Sequence, residues 1–181
     1  MAPPPALSHN WSMTFDPTIY GPAIASLLAL DSNGQRLIPL VQSSPSHAEA
    51  KAQIDSLHAP PPVRAGLYLY FSLWSQAHET AQDINSPEGA YWHAIVHRQE
   101  PDASNSGYWF RQVGEHPIFP ALRDQAVSLG VDLGPRWSPT RFIEFCEQAR
   151  QQPGSDAERR ALEVQRAEWQ LLFDYCNSHS R

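Results

Sequence analysis

The sequence predicts an all-α, single-domain helical bundle of about six helices, and three observations carry that reading. Apolar and aromatic residues recur at i, i+4 and i+7, as in Leu67, Phe71, Trp74, His78 and Ala81. Most of the 17 prolines fall between such stretches. Proline lacks an N–H and disfavours helical geometry in the residue before it, so there it starts or ends helices. Finally, only 18% of the 181 residues are charged, while six Trp, six Tyr and seven Phe supply apolar bulk, a composition that folds and is long enough to bury a core. Residues 13–181 are expected to form the domain, preceded by a flexible N-terminal tail over 1–12.

The elements follow in chain order. A short helix is expected after Pro22, with Ile24, Leu27, Leu28 and Leu30, then a turn at Asp31–Gly34 and a minor extended segment near 37–41. Ser46 and Glu49 have the spacing of a capping box, in which hydroxyl and carboxylate satisfy each other's orphan N–H groups, opening a helix to Leu57. A long helix is expected over 64–84, and Ser86-Pro87 then supplies an N-cap and a first helical residue for a second over 87–99. The short connection makes these two a central antiparallel pair. Residues 101–107 read as a loop. Further helices are expected over 120–129 (stopping at Gly130), from Ser138-Pro139, and from a second capping box at Ser155 and Glu158.

Composition excludes several function classes. Twelve Arg and one Lys (Lys51) stand against 19 acidic residues, for a net charge of −6, and no basic run exists to neutralise a row of phosphates, so no nucleic-acid partner is expected. No apolar stretch approaches the roughly 20 residues of a membrane span. The N-terminus lacks the charged and apolar regions of a secretory signal. Cys146 and Cys176 are too few for a disulfide framework or an all-Cys zinc site and read as core. A cytoplasmic, reduced protein is expected. GxGxxG, GxxxxGK[ST], GxSxG and CxxC motifs are absent.

Two constellations carry chemistry. His93 and His97 stand four apart on one helix face, close enough for two imidazoles to hold one divalent cation. His78, on the buried stripe of the preceding helix, is the third expected ligand, with Glu79, Glu100 or His116 as catalytic candidates completing the site. Imidazole and carboxylate donors suit Zn, Fe, Mn or Ni. Ala94-Ile95-Val96 between the histidines excludes the HExxH protease motif. The competing reading is a hydrogen-bonded polar core. The second constellation is Arg98, Asp102, Asn105, Trp109 and Arg111, a mixture of polar and aromatic groups suited to a small anionic ligand, with the two arginines as forks. Its competing reading is a loop braced by Arg98–Glu100 and Arg111–Asp102 pairs.

The run YWHAIVHRQEPDASNSGYWFRQVGEHPIFPAL at 91–122 resembles the signature of a family of uncharacterised bacterial proteins. The resemblance extends to GQRLIPL at 34–40, GLYLYFSLWSQAHETAQDI at 66–84 and ALEVQRAEWQLLFDYC at 161–176. It implies that His78, Glu79, Gln82, His93, His97, Arg98, Glu100, Asp102, Asn105, Trp109, Arg111 and His116 are motif positions, and it implies no reaction. Gly107 is a departure, since the family is expected to carry a basic or other side chain there. Three functions are compatible with these residues: a metal-dependent enzyme, a metal-free enzyme or binder using His93 and His97, and a helical scaffold for a protein partner.

Overall fold

The computed structural model describes residues 15–179. It is all helical, with nine α-helices and no strand among the described residues. The helices are α1 (Pro22–Ala29), α2 (Ala50–Asp55), α3 (Pro61–Tyr70), α4 (Trp74–Gln82), α5 (Pro87–Gln99), α6 (Ala103–Val113), α7 (Phe119–Ser128), α8 (Pro139–Ala149) and α9 (Asp156–His179). Single 3-10 turns occupy Pro17–Tyr20 and Ser32–Gly34. The tail expected over 1–12 lies outside the described residues.

Helix α5 is the centre of the molecule. Ser86 caps it through the Gly89 N–H (3.4 Å) and Pro87 opens it. Residues 89–99 are all buried, against α3, α4 and α6. Close approach on both sides depends on glycine: a Cβ on Gly66 of α3 would stand 2.9 Å from the Trp92 ring, and one on Gly89 would stand 2.3 Å from the Ile84 carbonyl oxygen. The 24-residue α9 completes the core, presenting Ala161, Val164, Trp169, Leu172, Phe173 and Cys176. Its Trp169 indole N–H donates to the Gly66 carbonyl at 2.8 Å.

Three expectations change. The helix expected over 64–84 is two helices. Ser72 takes a left-handed conformation (φ +56°), and the N–H groups of Leu73 and Ser72 return to the carbonyls of Tyr68 (2.9 Å) and Leu69 (3.0 Å). That is a Schellman stop with serine where glycine is usual. The loop expected at 101–107 is the start of α6, because Asp102 caps the Asn105 N–H at 3.0 Å and Ser106 Oγ donates to the Ala94 carbonyl of α5 at 2.8 Å. The capping box at Ser46 does not form: Glu49 engages His47 Nδ1 (3.0 Å), and α2 begins at Ala50 with no side-chain cap. Segment 37–41, expected as a minor extended segment, is chain without helix, buried at Ile38 and Leu40 and tied down by Gln165 Nε2, which donates to the Ile38 carbonyl (2.7 Å). The Ser155 cap does form, through the Glu158 N–H at 3.1 Å, although the Glu158 carboxylate reaches the Gly154 N–H instead of Ser155.

Candidate metal centre

Helical spacing places the site. His93 and His97 are one turn apart on α5, with stacked rings (centroids 4.7 Å, 24° between planes). His78 comes from α4, which the short connection at 83–86 folds back against α5. The three imidazoles meet through their Nε2 atoms: His93 Nε2 lies 3.0 Å from His78 Nε2 and 3.1 Å from His97 Nε2. They form one grouping whose ligand atoms all lie within 4.8 Å of one another. His93 and His97 are buried and His78 is half-buried. Two indoles flank them: Trp74 stacks on His78 (5.3 Å, 18°), and Trp109 of α6 lies over His93 (4.1 Å).

Electrostatics disfavour charge on His93 and His78. Burial pushes the His93 pKa down to about 4, and the adjacent His97 and His78 add to the shift. His78 is lowered for the same reasons, burial first and then His97, with Glu100 and Glu79 acting against it. Neutral imidazole is the form that ligates metal. The outer nitrogen of His97, Nδ1, lies 3.0 Å from Glu100 Oε2, whereas His93 Nδ1 is buried without a hydrogen-bond partner among the described residues. His97, Glu100 and Asp102 form a second, more exposed grouping.

The remaining expected site residues are placed differently. Arg98, expected at an anionic ligand or a Glu100 brace, turns into the core, where its side chain is 1% exposed. Its Nη1 and Nη2 donate to the two oxygens of Glu168, itself fully buried, and Nη2 also reaches Gln165 Oε1 (3.2 Å). Tyr91 donates to Glu168 Oε1 at 3.1 Å, and the Arg98 guanidinium sits 4.6 Å over the Phe142 ring. With its charge matched and its fork filled, Arg98 is a core residue and not a ligand fork. Asp102 and Asn105 are tied to each other as the cap of α6, Asn105 Nδ2 donating to Asp102 Oδ2 at 2.7 Å. Arg111 is exposed beside Tyr108 (5.8 Å) and makes no ion pair with Asp102. Glu79 is exposed on α4 and belongs to neither grouping.

His116, expected as a catalytic group, is packed in a separate aromatic pocket of Tyr91, Phe119 and Tyr175. Its Nδ1 accepts the Ile118 N–H (3.4 Å) and its Nε2 stands 3.8 Å from a Glu88 oxygen, too far for a hydrogen bond. Burial lowers its pKa from 6.5 to about 4, with Glu88 opposing. The unfolded chain therefore binds the proton first as pH falls, so stability is full above pH 6.5 and is lost towards pH 4. We expect urea unfolding to show a loss of about 2 kcal/mol over that window, after discounting for screening, that a His116→Phe variant lacks. Parallel pH dependences in the two proteins would contradict this assignment.

Sequence reading missed Glu168 and Gln165. A usable signal was present: 161, 165, 168 and 172 share one face of α9 with Ala and Leu at its ends, so a carboxylate in that row needs a buried cation. No helix is long and apolar enough to cross a membrane among the described residues. No family model matches this chain, and neither a curated protein nor a solved structure matches it.

Proposed function

We propose that the protein is a metal-dependent enzyme whose single divalent ion is held by His78, His93 and His97. The observation that carries the reading is the convergence of three buried or half-buried Nε2 atoms, 3.0 and 3.1 Å apart about His93. Nitrogens at that separation are spaced as two ligands on one ion are, with bonds of about 2.0–2.1 Å. Without a cation the arrangement is awkward, because each neutral ring carries one N–H and His93 Nε2 faces two partners. Three imidazoles without thiolate or carboxylate favour Zn, Fe or Ni over Mn. Three protein ligands leave a position open, and a divalent ion there supplies Lewis acidity sufficient to bring the pKa of water towards neutrality. The chain's own part is to keep His78 and His93 neutral by burial and to shield two sides of the cluster with Trp74 and Trp109. We propose a small anion as substrate; of the two arginines expected to bind it, Glu168 neutralises Arg98, which leaves Arg111, exposed on the same helix as Trp109.

The test is metal content in protein made without a histidine tag, before and after incubation with Zn, Fe, Ni or Mn. One ion per chain and a raised melting temperature are expected. Absence of both would overturn the proposal and leave the histidines as a metal-free hydrogen-bonded cluster, the acid–base or binding alternative.

A further inference from the structure

We propose that Glu100 is a positioning residue that fixes the tautomer of His97, rather than an acid or base acting on substrate. The inference rests on the metal reading of the three-histidine cluster and assigns the group that aims one of its ligands. A neutral imidazole has one N–H and one lone pair, and a carboxylate only accepts hydrogen bonds. Glu100 Oε2 stands 3.0 Å from His97 Nδ1. A proton on Nδ1 makes that contact a hydrogen bond; a bare Nδ1 would set a lone pair against an oxygen. The proton therefore sits on Nδ1, and the Nε2 lone pair faces His93 Nε2, 3.1 Å away. Carboxylates that hold the outer nitrogen of a metal-ligating histidine act in this way, setting ring orientation and basicity.

The backbone makes the contact a built one. Glu100 is the C-cap of α5, and its N–H returns to the carbonyls of Val96 (3.0 Å) and His97 (3.2 Å). The Asp102 N–H also donates to the His97 carbonyl at 3.0 Å, closing a turn around the ligand residue. The other histidine of α5 has no such support among the described residues, where its buried Nδ1 finds no partner.

Glu100 is 41% exposed at its side chain, so its replacement should leave folding intact, and an unchanged urea melt checks this. Glu100→Ala and Glu100→Gln are compared with wild type by two readouts. The first is long-range ¹H–¹⁵N NMR of the His97 ring in metal-free protein. The second is Zn²⁺ affinity by competition with a chromophoric chelator. Wild type should show the Nδ1–H tautomer, and Glu100→Ala a shifted or mixed one with Zn²⁺ bound roughly 10–100-fold more weakly. Glu100→Gln, whose amide oxygen still accepts, should recover most of both. An unchanged tautomer in Glu100→Ala, or Zn²⁺ affinity within about twofold of wild type, would overturn the proposal. So would a Gln variant as impaired as Ala, because that points to a proton-transfer role. If wild type binds no Zn²⁺, it is the metal reading that fails, and the NMR comparison alone decides the role of Glu100.

Discussion

Glu168→Ala is expected to destabilise the protein by about 3–5 kcal/mol, a large part of the roughly 5–15 kcal/mol that holds a domain of this size together. The reason is what the substitution leaves behind. Arg98 and Glu168 have side chains 1% and 0% exposed, on helices distant in sequence, and the Nη1 and Nη2 groups of Arg98 are engaged by Glu168 and Gln165 while Tyr91 donates to the same carboxylate. Removing the carboxylate strands a guanidinium on the central helix, with no water to take its charge. Removing both charges is a different matter, because a buried ion pair is worth little relative to well-packed apolar residues. An Arg98→Met/Glu168→Leu double variant should therefore recover most of the loss. Urea denaturation of the two single variants and the double one measures the coupling. A Glu168→Ala protein within about 1 kcal/mol of wild type would show that the pair is not the electrostatic keystone of α5 and α9.

The same pair shows where sequence reading succeeds and where it stops. The start of α5 is written locally: Ser86 and Pro87 supply a cap and a first residue, and the four-residue spacing of His93 and His97 fixes a shared face. Convergence of His78 follows from the short connection between α4 and α5, readable in order along the chain, although the continuous stripe expected to carry it is broken at Ser72. What is not readable depends on groups brought together from afar. Arg98 follows His97 directly and sits among polar residues, so a ligand role and a core role look alike until α9 delivers Glu168. The stop at Ser72 is hidden because serine does there what glycine usually does. Helix α6 is hidden because Ala103-Ser-Asn-Ser-Gly107 has poor helix propensity, and packing of Ser106 and Phe110 against the interior overrides it. At Arg98 and α6 the cause is shared: tertiary contacts outweigh local preference, whereas the Ser72 stop is local and carries no usual sequence mark.

The second large effect is expected at His93, with opposite signs in two conditions. Its Nε2 is the atom common to both close contacts, so on the proposed metal site His93→Leu should abolish Zn²⁺-dependent stabilisation, expected in wild type at about 2.7 kcal/mol at a hundredfold excess over Kd. Metal-free, the same substitution should cost little or be mildly stabilising. It removes a buried Nδ1 without a partner, a liability of about 1–3 kcal/mol, and ends the crowding of three ring nitrogens. Against this stands the contact with the Trp109 ring at 4.1 Å, worth about 0.5–1.5 kcal/mol and partly retained by an apolar side chain. Urea melts with chelator and with Zn²⁺ separate the two effects. A variant that keeps the Zn²⁺ shift would remove His93 from the ligand set. One that loses several kcal/mol in chelator would mean that His93 serves the fold, whereas a site kept for binding at the expense of stability gives the sign reversal predicted here.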